Sequence, residues 1–193
     1  MAALLIAIVG AESTGKTTLA QALHSHLQSR TALRIALVPE WLRSWCEREA
    51  RTPKPAEQAG IAAQQAALIE AAAQQHDVVI CDTTQLMTAI YSELLFQDGS
   101  LLPQAQDFHQ CCALTLLTAT DLPWVADGLQ RDGPHVLPVV DAALKRALQQ
   151  AGVPYSIVSG QGPQRLAAAL TAISAIAAFA PLLQRLSPAN SLP

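Results

Sequence analysis

Residues 4–9, Leu-Leu-Ile-Ala-Ile-Val, are apolar without interruption, the pattern of a strand buried on both faces of a parallel sheet. The period then changes. Leu19, Leu23 and Leu27 recur at every fourth position, which predicts an amphipathic helix starting near Lys16. Four more short apolar runs predict strands: Arg34 to Val38, Asp77 to Cys81, Ala113 to Thr118 and Tyr155 to Val158. Helical segments are expected between them at Trp41 to Ala50, about Ala56 to Gln75, Thr84 to Phe96, Pro103 to Gln110 and about Val139 to Ala151, with Pro53 and Pro55 marking a turn. A last helix is expected within Leu166 to Leu183. Strand and helix in alternation imply an α/β fold, a mostly parallel sheet of about five strands flanked by helices.

Composition narrows this picture. The 193 residues are 51% hydrophobic and 14% charged, which suits one compact domain over residues 1–186 with a frayed tail at 187–193. Net charge is −3, and three lysines (Lys16, Lys54, Lys145) stand among the twelve basic residues without forming a tract. An extended nucleic-acid footprint is therefore not expected. Cys46, Cys81, Cys111 and Cys112 lack CxxC spacing and read as reduced thiols of a cytoplasmic protein. Met1 to Val9 lacks a basic n-region, so it reads as a strand and not a signal peptide. Leu166 to Leu183 is long enough to span a membrane, but it is alanine-dominated, carries Thr171 and Ser174 and breaks at Pro181, which favours a packed helix.

The strongest chemical signal is Gly10-Ala11-Glu12-Ser13-Thr14-Gly15-Lys16-Thr17-Thr18, directly after the first apolar run. Glycines at this spacing let the backbone close around phosphates with successive N–H groups pointing inward. Lys16 brings a positive charge to the β- and γ-phosphates, and the Thr17 hydroxyl is placed to ligate Mg²⁺ at a helix N-terminus. ATP and Mg²⁺ are the expected cofactors. Such a loop does not by itself name a reaction.

Two carboxylates follow strands, where ligands bind in open α/β sheets: Glu40 after the second and Asp82 after the third. Asp82 ends an apolar run, the shape of a Walker B position that holds the Mg²⁺ shell. Glu40 is a candidate for orienting or deprotonating a substrate hydroxyl. No guanine-reading Asn-Lys-x-Asp is present, and no second domain supplies the partner surface of an AAA+ motor, so a small-molecule kinase leads. Residues 121–132, Asp-Leu-Pro-Trp-Val-Ala-Asp-Gly-Leu-Gln-Arg-Asp, read as a lid closing over ATP. In it Arg131 is a candidate for stabilising transferred charge, and Trp124 and Asp127 for facing a flat ring and sugar hydroxyls.

Taken together, these segments resemble the ribosylnicotinamide kinase domain of the NadR family over about residues 3–160. The matching residues are the phosphate loop, Glu40-Trp41-Leu42-Arg43, Ile61-Ala62-Ala63-Gln64-Gln65, Asp82-Thr83 and Asp121-Leu122-Pro123-Trp124-Val125-x-Asp127-Gly128-Leu129. The resemblance implies transfer of the ATP γ-phosphoryl to the ribose 5′-hydroxyl of nicotinamide riboside, giving NMN. It assigns Glu40 and Asp82 to the reacting centre, Arg131 to the lid, and Trp41, Arg43, Gln65, Trp124 and Asp127 to the nucleoside side. The family's adenylyltransferase and DNA-binding domains have no counterpart in these residues, which suggests a free-standing kinase. The alternatives are a kinase for another nucleoside or small metabolite, and an ATPase module that switches a partner by slow hydrolysis.

Overall fold

The computed structural model of the chain describes residues 2–125 and 133–179. Five strands form one sheet: β1 (Leu4–Val9), β2 (Ile35–Val38), β3 (Val78–Asp82), β4 (Leu114–Thr118) and β5 (Ser156–Val158). All are parallel, in the order β2-β3-β1-β4-β5. The helices are α1 (Lys16–Arg30), α2 (Trp41–Glu49), α3 (Gln58–Ala73), α4 (Gln85–Phe96), α5 (Leu102–Gln110), α6 (Leu137–Gln150) and α7 (Pro163–Ser174).

Both faces of the central strands β1, β3 and β4 are covered, which explains their apolar runs, while the edge strand β5 leaves Ile157 55% exposed. On one face Ile6, Ile8, Val78, Ile80, Leu114 and Leu116 pack with Leu19, Leu23 and Leu27 of α1 and Ala169 and Ile173 of α7. On the other, Val9 and Leu117 meet Leu86 and Ile90 of α4 and Leu144 and Leu148 of α6. Val79 and Cys81 pack with Ile69 of α3. Alternate residues of β3 thus serve opposite layers, as the pleat requires. Register fixes where the carboxyl ends meet: Ile8 pairs with Asp82, Val9 with Leu117, and Val38 with Cys81. The ends of β2, β3, β1 and β4 therefore open at one edge.

The expected C-terminal helix differs from the observed one. It starts earlier, at Pro163, and stops at Ser174 instead of continuing to Leu183. A proline in the first turn suits a helix start. At the other end a 3-10 turn at Ala177–Phe179 brings Phe179, 2% exposed, into the core beside α1 and α7. Burying that ring outweighs continuation of an alanine-rich helix with little side chain to pack. No helix among the described residues is long and apolar enough to cross a membrane.

Candidate active site

The phosphate loop links β1 to α1, and its side chains hold its shape. Thr14 Oγ1 donates to the Ala11 carbonyl at 2.7 Å and lies 2.7 Å from Thr118 Oγ1 of β4. Lys16 Nζ donates to the same Ala11 carbonyl at 2.9 Å, which holds the ammonium across the loop. Gly10 sits so close to β4 that a Cβ there would lie 2.0 Å from Thr118 Oγ1, so any side chain would collide. Ser13 has φ +54°, the left-handed region that non-glycine residues rarely adopt. Its hydroxyl donates to the Val125 carbonyl at 2.8 Å and accepts from the Val125 N–H at 3.3 Å. Glu12 is turned away toward α4, where Tyr91 donates to its Oε1 at 3.2 Å. Thr18 is exposed in the first turn of α1.

Asp82 closes β3, 3% exposed. Burial pushes its carboxyl up, opposed by a hydrogen bond from Thr17 and by the charges of Lys16 and Arg43. Its Oδ1 is buried without a hydrogen-bond partner among the described residues. An orphaned carboxylate oxygen beside a threonine hydroxyl and a lysine suits a hard cation that brings its own phosphate and water ligands, and Thr17 and Asp82 would hold Mg²⁺. No group of three or more His, Cys, Asp or Glu among the described residues forms a self-sufficient metal cage. The turn after Asp82 is braced from behind. Thr83 has φ +68°, and Thr84 caps α4, its Oγ1 accepting from Leu86 N–H. The same Oγ1 lies 2.7 Å from His109 Nε2, and His109 Nδ1 lies 3.1 Å from Thr115 Oγ1. Burial pulls the His109 imidazole down to about 4.

Glu40 follows β2 as the N-cap residue of α2, next to Asp82 through the pairing of Val38 with Cys81. Arg43 Nε lies 3.8 Å from Glu40 Oε2, and its charge also reaches Asp82, so one guanidinium serves both acids. Gln65 of α3, 3% exposed, accepts from the Trp41 N–H at 2.7 Å and donates to the Pro39 carbonyl at 3.3 Å. Its amide clasps the backbone on either side of Glu40. Arg48 stacks over the Trp41 ring at 5.6 Å and Arg51 over Trp45 at 4.9 Å.

Residues 121–125, read from sequence as the first half of a lid, are docked on the phosphate loop. Val125 bonds Ser13 in both directions, and a Cβ on Gly15 would lie 3.1 Å from Leu122 Cδ1. Asp121 is ion-paired to Arg165, which also donates to the Thr14 carbonyl. Trp124 is half-buried, and its Nε1 is buried without an acceptor among the described residues. Asp127 and Arg131 lie outside the described residues.

A sequence model for an AAA domain matches residues 5–165 of the chain. The chain belongs to this AAA-domain family. Its fold is that of P-loop kinases. A NadR protein solved with NAD and AMP-PNP superposes with a TM-score of 0.71 at 19% identity, covering 99% of this chain and 52% of that one. NadR in complex with NR gives a TM-score of 0.71 at 18% identity, covering 91% and 50%. Thymidylate kinase from Ehrlichia chaffeensis gives 0.60 at 16%, covering 90% and 98%. The chain thus spans about half the length of the NadR chains it matches. Among curated proteins nothing matches it. The resemblance read from the sequence and the likeness in three dimensions lead to the same fold.

Within this AAA domain the structure brings Lys16, Thr17, Asp82, Arg43 and, through strand register, Glu40 to one edge of the sheet. Sequence reasoning missed Arg165, Tyr91, Thr118 and His109. A signal did exist for Arg165, the one charge in the otherwise apolar and polar-uncharged stretch of residues 163–174. For the other three, spacing carries no trace.

Proposed function

We propose that the chain is an ATP-dependent kinase that phosphorylates the ribose 5′-hydroxyl of nicotinamide riboside to give NMN. The observation that carries the reading is the pair of acids at adjacent strand ends, Glu40 and Asp82, sharing Arg43 beside the phosphate loop. Hydrolysis needs only a nucleotide and water, whereas a second acid just beyond the end of β2 gives an acceptor hydroxyl its own partner. The loop amides and Lys16 bind and neutralise the ATP phosphates, and Thr17 and Asp82 would hold Mg²⁺, which would supply further positive charge at the phosphates. Glu40 accepts the hydroxyl's proton or fixes its direction, and the buried Trp124 Nε1–H offers a donor to the acceptor. Phosphoryl transfer relies on placement and charge more than covalent chemistry, which matches a site of backbone amides, two acids and fixed cations. NadR structures solved with NR and with an ATP analogue support the choice of acceptor.

The test is ADP release measured with and without nicotinamide riboside and a panel of other ribonucleosides, with NMN detected by mass. Nicotinamide riboside should raise ADP formation at least about tenfold, equal to ~1.4 kcal/mol of barrier. Stimulation by another nucleoside alone would keep the kinase and change its substrate. A rate indifferent to every acceptor would leave a regulatory ATPase.

A further inference from the structure

Thr14 lies between two residues in the left-handed region, Ser13 at φ +54° and Gly15 at φ +75°. A loop with that backbone does not hold itself, and its peptide planes need external anchors. The Thr14–Gly15 peptide is planar and trans, so its carbonyl and N–H point in opposite directions. Whatever holds the Thr14 carbonyl outward therefore aims the Gly15 N–H inward.

That anchor is Arg165, 3% exposed at the start of α7. Its Nη1 donates to the Thr14 carbonyl, and its Nη2 donates to Asp121 Oδ1 and, at 3.5 Å, to the Ala119 carbonyl. Nε donates to the Gly160 carbonyl at 2.7 Å. Asp121 Oδ2 accepts from the Gly160 N–H at 2.6 Å. A planar fork thus ties together three segments remote in the chain: the phosphate loop, the segment after β4 and the turn after β5. We propose that Arg165 is a positioning residue which, by holding the Thr14 carbonyl, presents the Gly15 N–H to the β-phosphate of a bound nucleotide. This rests on the nucleotide-binding reading above and extends it to a residue that does not face the phosphates.

The experiment compares ADP and AMP binding by calorimetry for wild type, Arg165→Ala, Arg165→Lys and Asp121→Asn. Arg165→Ala should bind ADP at least about tenfold more weakly with AMP affinity nearly unchanged, because only ADP carries the β-phosphate. Lysine, a point charge without the fork, should recover part of the loss, as should millimolar guanidinium added to Arg165→Ala. Asp121→Asn keeps the guanidinium but loosens it, and should lose about threefold. Should Arg165→Ala not fold, Arg165→Lys decides by the same ratio. A wild-type ADP-to-AMP ratio in the arginine variants, even with a lowered Tm, would overturn the inference and leave the nucleotide site standing. Failure of wild type to bind ADP would instead remove the reading beneath it.

Discussion

Around the phosphate loop three consecutive polar side chains are engaged by residues far along the chain: Glu12 by Tyr91, Ser13 by Val125, Thr14 by Thr118. Around Glu40 a long-range contact falls on the main chain. Its neighbour Arg43 has a side chain 41% exposed and lies 3.8 Å from the Glu40 carboxylate, whose side chain is 16% exposed, and Gln65 holds the backbone on either side of Glu40. The phosphate loop is thus pinned through side chains, and the strand end at Glu40 is clasped through its main chain. The first arrangement suits one ligand that does not change. The second fixes the backbone from which the Glu40 carboxylate springs, as the proposed role of that acid requires.

The largest effect expected of this contrast is at Lys16. Lys16→Ala should lower kcat/KM by at least about a hundredfold, since a fixed charge at developing phosphate charge is worth ~3 kcal/mol, while circular dichroism stays native. Turnover and ATP affinity equal to wild type would end the nucleotide assignment. Next comes the pivot between the two sides. Asp82→Asn should reduce kcat about tenfold or more at saturating Mg²⁺ and leave metal-free nucleotide binding within about twofold, because only the metal needs the charge. Equal turnover would make Asp82 a strand-end acid with no part in the metal's shell.

The brace behind Asp82 has a pH signature. His109 is held at about 4 against an ordinary 6.5, so the folded protein keeps it neutral while the unfolded chain takes up a proton. The unfolded state thus binds more protons between these values, and stability is lost as pH falls from 6.5 toward 4, by about 3 kcal/mol in total. Urea unfolding at pH 7 and 4.5 should show a steep loss in wild type that His109→Gln lacks. Glu57 and Asp77, held at about 2 by Arg51 and Arg34, lose their contribution as pH falls from 4.5 and 3.8 toward 2, so most of that loss comes below the His109 window. Parallel slopes in the two proteins would exclude His109 as the source.

A smaller change sharpens the acceptor side. Gln65→Leu leaves the Trp41 N–H without its acceptor, which should destabilise the fold by about 1–3 kcal/mol. It should also lower kcat/KM for the acceptor several-fold with ATP affinity unchanged. An effect on ATP alone would contradict its placement beside Glu40. Smallest of all, Asp77→Asn removes an exposed pair with Arg34 and should move Tm by no more than ~2 °C with unchanged kinetics.

The same contrast explains how much could be read before the structure. The central strands were legible because burial on both faces leaves an apolar run, the edge strands β2 and β5 as shorter runs of the same kind, and the phosphate loop because its eight positions are contiguous. The placement of Glu40 and Asp82 at strand ends was legible because an apolar run stops just before each. What escaped depends on register. Gln65 is 24 residues from Trp41, and spacing alone could not show that its amide is turned to backbone. Arg165 and Thr14 are 151 residues apart and meet only once the sheet is closed. The end of α7 escaped for another reason: a run of alanines has no period to break, and Phe179 decides it from beyond the helix.

The closeness of Gly10 to β4 also constrains how this sequence can drift. A Cβ at position 10 would lie 2.0 Å from Thr118 Oγ1, 3.2 Å from Thr118 Cβ and 3.0 Å from Thr14 Oγ1. Trimming Thr118 to alanine removes the worst of these clashes but leaves the other two. Gly10→Ala is therefore deleterious as a single step, and its harm is only partly lifted by Thr118→Ala, a pairwise epistasis measurable in a double-mutant cycle. No one-step path leads away from glycine. A lineage would first have to give up the Thr14–Thr118 hydroxyl pair that secures the loop, so the same contact that shapes the site also acts as an evolutionary ratchet on its first residue.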